Sequence, residues 1–170
     1  MFRPLFAVAV LAAPGVAADP TPLDPKTTWA FLVSTTEYKG GAVEQGWKEN
    51  RKDTELANAL LAWGVPADHL VHLVDKQGTL PAITQKMTAL MKRAGPGDTF
   101  FFYFAGHGGR EVQARGKSRY WFENYDCDPA RENSYFYTAH LFDALDQHFK
   151  GARALLTADC CHSGGLTVVA

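Results

Sequence analysis

The sequence predicts an α/β fold in which helices cover both faces of a mostly parallel central sheet. Its 170 residues suit a single domain, and 46% apolar against 21% charged residues is the composition of an ordinary globular protein. Four short apolar runs alternate along the chain with three segments of helical periodicity. Strands that alternate with helices are joined by right-handed crossovers and therefore form parallel sheets.

Charge and cysteine content narrow the function classes. Seventeen basic and eighteen acidic residues leave a formal net charge of −1, whereas a protein that binds nucleic acid through phosphate contacts is normally basic. We therefore expect no nucleic-acid partner. Three cysteines are an odd number and too few for a disulfide scaffold.

The first 18 residues have the pattern of an export signal. Arg3 gives a positively charged start, and the apolar run from Leu5 to Ala13 is too short to span about 30 Å of hydrocarbon as a helix. Small residues up to Ala18 suit cleavage there, so we expect an exported protein, periplasmic or secreted, with no membrane anchor in its mature form. The alternatives are an apolar N-terminus on a cytosolic protein or an uncleaved anchor. The predicted units are a signal peptide at 1–18, a linker at 19–28 and a folded domain at 29–170.

The first predicted strand is a short continuous apolar run, which is typical of a strand buried on both faces of a parallel sheet. The third run, TFFFYFA, is the most apolar segment of the chain. Three prolines and the absence of periodicity at 19–28 predict a linker or an extended arm before the first run. The four strands cover 29–34, 69–74, 99–105 and 152–158.

Each predicted helix carries apolar residues at helical spacing. In the first helix Leu56, Leu60 and Trp63 fall at i, i+4 and i+7, and Asn50 can cap it. Pro81 suits the first turn of the second helix. The helices cover 50–63, 81–94 and 138–149, and a polar, aromatic loop with room for short strands covers 106–137.

Two glycine-flanked motifs follow the third and fourth strands. The third strand runs into GHGG at 106–109, and the fourth runs into DCCHSGG at 159–165. Functional residues of open α/β sheets gather at the carboxyl ends of the strands, and neighbouring strands lie about 5 Å apart. We therefore expect His107 and one of the two adjacent cysteines to face each other.

A histidine beside a cysteine is an arrangement that activates the thiol. A free thiol with a pKa of about 8.5 is only a few per cent thiolate at neutral pH, and a neighbouring imidazole can take its proton. Glycines around His107 let the backbone approach a substrate closely, and N–H groups beside the nucleophile can hold a developing oxyanion. The pattern therefore predicts acyl transfer through a thioester, as in a cysteine peptidase.

Two other interpretations stay open on the residues alone. A buried cysteine at a strand end is often a small core residue, and a histidine between glycines is often part of an ordinary loop. A zinc site would have to pool ligands whose spacing does not match the CxxC pairs of zinc-binding motifs. The ligands of such a zinc site would be His107, Cys127, Cys160, Cys161 and His162.

The two motifs together resemble the caspase-like peptidases of the metacaspase branch. GHGG after an aromatic strand and DCCHSGG after the next strand carry the resemblance, which extends over residues 29–165. A histidine about 50 residues before the cysteine is a known caspase spacing, whereas the QAC[RQG]G signature of animal caspases is absent. The resemblance implies a three-layer caspase-like sandwich, of which this chain holds the large-subunit portion with strands one to four.

The resemblance also implies a role for each motif residue. Cys161, directly before His-Ser-Gly, resembles the nucleophile, and His107 resembles the general base. The N–H groups of Gly108 and Cys161 would line the oxyanion hole. Asp159 and Asp53 resemble the acidic residues of the S1 pocket, which bind a basic P1 side chain. On the residues alone, Asp53 is equally well an acid that complements the helix dipole.

Strand alternation favours the same cysteine as the resemblance. Cys160 is one residue closer to the strand, so alternation turns it inward, and a disulfide between Cys160 and Cys161 is not expected because the two side chains point to opposite faces. His162 is adjacent to Cys161 and cannot easily present its ring to that thiol. Ala105 stands where the family often has serine, two residues before the histidine.

The predicted function is that of a cysteine-type endopeptidase that uses a Cys–His dyad to cut peptide or protein substrates after Arg or Lys. No cofactor is required for this chemistry. Many metacaspases need calcium, for which Asp126 and Asp128 are candidate ligands here, although a polar turn before Pro129 explains them as well. The resemblance also implies a C-terminal small-subunit segment that would cover the open edge of the sheet. The alternative function is a catalytically inactive caspase-like module for binding or assembly.

Overall fold

A five-stranded, mostly parallel sheet forms the centre of the molecule. The computed structural model describes residues 7–12, 22–41, 51–113 and 117–167. The strands of this sheet are β1 (Ala7–Ala12), β2 (Thr28–Ser34), β3 (Leu70–Val74), β4 (Thr99–Ala105) and β8 (Arg153–Asp159). Their spatial order is β1-β8-β4-β2-β3, and all pairs are parallel except the antiparallel pair of β1 with β8. The prediction of an α/β fold with a mostly parallel sheet is confirmed.

The helices cover the two faces of the sheet as predicted. Helix α1 (Lys52–Trp63) packs on one face through Ala57, against Leu32 and Tyr103. Helices α2 (Leu80–Met91) and α3 (Thr138–His148) pack on the other face, where Met87 and Leu141 are fully buried. All seven residues of β2 are buried, because this strand lies inside the sheet and helices cover both of its faces.

The predicted loop at 106–137 contains a second, antiparallel sheet. It consists of β5 (Gly108–Val112), β6 (Ser118–Phe122) and β7 (Phe136–Tyr137), in that order. The Phe122 ring stacks on Phe104 of β4 with 4.5 Å between ring centroids, so this small sheet is docked on the main core. It begins directly after His107, and therefore fixes the chain on the C-terminal side of that residue.

Element boundaries differ from the prediction by a few residues. Helix α1 begins at Lys52, with Arg51 at the N-cap position and no side-chain cap bond, while Asn50 lies outside the described residues. Helix α2 ends at Met91 rather than at 94. Strand β8 extends to Asp159, which places this aspartate within the ladder instead of in the following loop.

Part of the predicted export signal forms the edge strand β1. Its backbone pairs with β8 from Ala7 opposite Ala158 to Ala12 opposite Arg153. The expected cleavage position at Ala18 lies outside the described residues, so cleavage and export stay predictions. Within the described part of the chain, the helices are too short or too polar to cross a bilayer.

Candidate active site

The two sequence motifs meet at the carboxyl edge of the central sheet. Strands β4 and β8 are paired in register, so Ala105 lies opposite Asp159 at their last position. Beyond the ladder, the N–H of Gly106 donates a hydrogen bond to the carbonyl oxygen of Asp159 at 3.3 Å. The two segments therefore leave the sheet side by side, one toward His107 and the other toward Cys161.

Glycine at position 108 allows the two segments to touch. A Cβ atom on Gly108 would lie 2.5 Å from the carbonyl oxygen of Cys161 and 2.9 Å from the Sγ of Cys160, which is closer than real Cβ atoms approach. Gly106, with φ +152°, is similarly confined, since its Cβ would lie 2.8 Å from the carbonyl oxygen of Thr35. The backbone that carries His107 is thus packed directly on the backbone of the cysteine loop.

His107 is held from two sides. Its backbone N–H donates to the Tyr38 hydroxyl at 3.0 Å, and the Tyr38 and His107 rings stack with centroids 5.5 Å apart. The carbonyl oxygen of His107 accepts a hydrogen bond from the N–H of Glu123 at 3.0 Å. Tyr38 is itself anchored, because its hydroxyl donates to the carbonyl oxygen of Thr35. These contacts fix where the histidine backbone leaves the sheet.

An acidic side chain lies near the histidine. Burial raises the pKa of the Glu123 carboxyl, and the charge of the nearby His107 acts in the opposite direction. The Oε2 atom of Glu123 is buried and has no hydrogen-bond partner among the described residues.

The three cysteines are free thiols in different surroundings. Cys161 is exposed in the turn that follows β8, and the positive φ of His162 (61°) turns the chain immediately after it. Burial raises the pKa of Cys160 to about 12, and burial likewise raises that of Cys127 to about 12. At neutral pH both buried thiols stay protonated, so Cys161 is the cysteine in a position to react.

The backbone N–H of Gly108 is not used by the β5–β6 ladder. The bond from Glu123 N to His107 O makes that pair a hydrogen-bonded position of the β5–β6 ladder, so Gly108 opposite Phe122 is a non-hydrogen-bonded position. The N–H of Gly108 is therefore turned away from β6. Gly108 also packs on the carbonyl oxygen of Cys161, so this unused N–H belongs to a residue that touches the cysteine loop.

An acidic slot lies at the same edge, on the α1 face of the sheet. Ser34, Ala105 and Asp159 are in register across β2, β4 and β8, and paired residues of parallel strands point to the same face. Ala105, between Ser34 and Asp159, has the smallest of the three side chains. Tyr103 lies two residues before Ala105 on the same face of the sheet, and its pKa is raised to about 12 by burial and by the charges of Asp159 and Asp53. We call Ala105, Tyr103 and the carboxylates of Asp53 and Asp159 the acidic slot.

The two carboxylates of the acidic slot differ in their partners. Asp159 is partly buried, and no described residue makes a hydrogen bond or ion pair with its side chain. Asp53 is buried and pairs with Arg51 at 2.9 Å and with the Nε2 of His72 at 3.2 Å. Burial by itself would raise the pKa of Asp53, but hydrogen bonds from His72 and Arg51 outweigh it and hold the pKa well below its usual range.

The two candidate calcium ligands have other partners. Asp126 accepts hydrogen bonds from the Leu80 N–H, at the start of helix α2, and from the Asn124 amide, each at 2.7 Å. Asp128 accepts from the Ala130 N–H and pairs with Arg131 at 3.3 Å. The described residues contain no group of three or more His, Cys, Asp or Glu side chains that could hold a metal ion. This pair alone does not fit the six to eight oxygen ligands of calcium, and calcium activation stays a prediction.

Four side chains of this site carry no clear signal in the sequence. Tyr38 lies between the predicted elements and Glu123 lies in the predicted loop at 106–137, and no spacing links them to His107. His72 lies beside Asp53, and Asp75 lies beside Arg51, because α1 begins near the carboxyl ends of β2 and β3. The position of Arg51 between Asp53 and Asp75 therefore becomes visible only once this packing is known.

Comparisons with known proteins agree with the geometry. A family model described as metacaspase, peptidase C14 domain, matches residues 64–169. Metacaspase-2 of Trypanosoma brucei brucei is 29% identical over 159 residues, covering 86% of this chain and 44% of the relative. Metacaspase-3 of the same organism is also 29% identical over 159 residues, with 86% and 43% covered. The chain thus spans less than half the length of these curated relatives.

A solved structure supports the fold. A crystal structure of a protein from Geobacter sulfurreducens matches 73% of this chain and 46% of its own length, with a TM-score of 0.55 and 18% identity. The family model covers more than half of the chain, including both glycine-flanked motifs. From its sequence match and its caspase-like sheet, this chain belongs to the metacaspase family of peptidase C14 domains.

Proposed function

We propose that the chain carries the catalytic machinery of a cysteine-type endopeptidase, with Cys161 as nucleophile and His107 as general base. The observation that supports this most directly is the packing of Gly108 on the carbonyl oxygen of Cys161 at paired strand ends. It puts a histidine and an exposed thiol on touching backbone segments. The buried, protonated state of Cys160 favours Cys161 over its neighbour.

The proposed reaction has two halves. The Cys161 thiol gives its proton to the His107 imidazole, and the thiolate attacks the carbonyl carbon of the scissile peptide bond. The N–H groups of Gly108 and Cys161 hold the resulting oxyanion. When the tetrahedral intermediate collapses, the C–N bond breaks and the imidazolium gives its proton to the leaving amine. Water, deprotonated by His107, then hydrolyses the thioester and restores the thiol.

We propose that the acidic slot binds an Arg or Lys side chain at P1. The slot combines two carboxylates, the small Ala105 side chain and the Tyr103 side chain. A guanidinium or ammonium group is the natural partner of such a site, since charge-assisted hydrogen bonds to carboxylates are the strong ones. Asp159 is the carboxylate that no described residue neutralises.

Fluorogenic peptides ending in Arg, Lys or Asp test the proposal. We expect release from the Arg and Lys peptides only, loss of release in Cys161→Ala, and retention of it in the matched variant Cys160→Ala. Release that persists in Cys161→Ala would exclude this nucleophile. No release from the folded protein, with calcium present, would favour the binding or assembly module.

Calcium activation, export and a small-subunit segment are further proposals that come from the resemblance. The rate of Arg-peptide release with added calcium and with a chelator tests the first. Equal rates under the two conditions would contradict it. If a fragment of the longer relatives restored or raised the rate of Arg-peptide release when it was added, that result would support the small-subunit segment.

A further inference from the structure

Arg51 occupies the Asp53 side of the acidic slot. Its Nε and Nη2 donate to the two carboxylate oxygens of Asp53 at 3.0 and 2.9 Å, in a bidentate arrangement. Its Nη1 donates to Asp75 at 2.8 Å and to the Thr36 hydroxyl at 3.0 Å. A P1 arginine would use the same forked geometry on the same carboxylate. The chain therefore supplies its own guanidinium where a substrate guanidinium would bind.

Asp53 has little capacity left for a second cation. A carboxylate offers about four acceptor positions, and Arg51 uses both oxygens of Asp53 while His72 approaches Oδ2 at 3.2 Å. The positive charge of Arg51, which is shared between Asp53 and Asp75, also weakens the attraction that Asp53 would exert on a substrate. Asp159, in register beside Ala105, has no such partner among the described residues.

The position of the Arg51 side chain allows it to move away from Asp53. It is 22% exposed, at the N-cap position of α1, so it borders solvent as well as the slot. A cation at a helix N-terminus opposes the helix dipole. The described contacts that hold the Arg51 side chain are therefore those with two carboxylates and one hydroxyl.

We propose that Arg51 determines P1 specificity by acting as a built-in competitor for Asp53, so that Asp159 alone carries recognition of a basic P1 side chain while Arg51 is in place. This inference rests on the proposed function, because it takes the acidic slot as the P1 site. Removal of the guanidinium frees a second carboxylate and strengthens binding of a cation.

Binding of N-acetyl-arginine amide, measured by calorimetry, tests this without any need for turnover. Arg51→Gln should bind the probe about three- to tenfold more tightly than the wild type, and Asp159→Asn should lose binding. Neutral N-acetyl-norleucine amide should show no difference between wild type and Arg51→Gln. With the Arg-terminated peptide substrate, Arg51→Gln should lower KM and leave kcat unchanged.

Asp75→Asn is the matched control, because it also removes an Arg51 ion pair but leaves the fork on Asp53 intact. If Asp75→Asn bound the probe as tightly as Arg51→Gln does, loosening of the segment around Arg51, rather than release of Asp53, would be responsible. That result would overturn the inference. Unchanged or weaker binding in Arg51→Gln, with Asp159 still required, would overturn it while leaving the P1 site in place. No binding in any variant, with cleavage that still depends on Cys161, would overturn the slot and the inference together and leave the nucleophile standing.

Discussion

The Tyr38 hydroxyl accepts a hydrogen bond from the backbone N–H of His107 at 3.0 Å, and the two rings stack 5.5 Å apart. The same hydroxyl donates to the carbonyl oxygen of Thr35, directly after β2. Tyr38 therefore ties the end of one strand to the histidine that follows another. This is a positioning role, because Tyr38 acts on the reaction through His107.

Tyr38→Phe should lower kcat by about tenfold with little change in KM, because it removes the hydrogen bond and keeps the stacked ring. The rate of release from an Arg-terminated fluorogenic peptide measures kcat and KM. Tyr137→Phe is the control, since that hydroxyl bonds to Glu132 instead. A folded Tyr38→Phe protein with unaltered kcat would refute the positioning role.

Two glycines of the motifs offer a matched pair. A Cβ on Gly108 would collide with the Cys161 backbone at 2.5 Å, whereas a Cβ on Gly164 would meet nothing within 4 Å. We expect Gly108→Ala to lower the free energy of unfolding by about 1–3 kcal/mol and to abolish cleavage, and Gly164→Ala to change the free energy of unfolding little. Urea denaturation and the peptide assay measure both effects. Similar behaviour of the two variants would contradict the described contact.

Alkylation should distinguish the three thiols. Because the pKa values of Cys160 and Cys127 are raised to about 12 by burial, iodoacetamide at neutral pH should label exposed Cys161 first. Mass spectrometry of peptides over time gives the order, and Cys161→Ala should show no fast labelling. Fast labelling of Cys160 would mean that the nucleophile is assigned to the wrong cysteine.

Asp53 should make stability dependent on pH. Its folded-state pKa lies below the unfolded value of about 4, so its contribution is complete above about pH 4 and declines as the pH falls toward the folded-state pKa. We expect Asp53→Asn to cost about 2 kcal/mol at neutral pH, and the gap from wild type to narrow progressively below about pH 4. Urea denaturation across this range measures it. If the difference in free energy of unfolding between the two proteins stayed constant across this range, the lowered pKa of Asp53 would not contribute to stability.

The sequence was sufficient to predict four of the five strands of the central sheet and its carboxyl edge, but not the antiparallel edge strand β1. Apolar runs mark β2 to β4 and β8, and their alternation with helices implies parallel pairing, which the in-register pairs of Ala105 with Asp159 and with Ser34 confirm. Parallel order then brings His107 and Cys161 to one edge, because both follow the last residue of neighbouring strands.

The contacts around that edge could not be predicted in the same way. Tyr38, Glu123 and Arg51 act through single contacts made by loops and a helix start, and such contacts leave no periodic pattern. The small sheet after His107 was read as a loop, since its strands are short and β7 has only two residues. Its position comes from ring packing of Phe122 on Phe104.

Strand β1 leads to a prediction about the N-terminus. If the export signal is removed after Ala18, the outer edge of β8 loses its partner, and an open edge tends to pair with another chain. A protein that begins at Asp19 should therefore self-associate more than the full chain in size-exclusion chromatography. Intact mass of the exported protein tests cleavage itself. A monomer as stable as the full chain would show that β1 does not protect this edge.

The central claim is that His107 activates Cys161, and covalent capture tests it most directly. An Arg-terminated peptidyl acyloxymethyl ketone should form one adduct, located on Cys161 by mass spectrometry, and His107→Ala should slow its formation by at least about a hundredfold. An adduct on Cys160, or formation at an unchanged rate in His107→Ala, would contradict the claim.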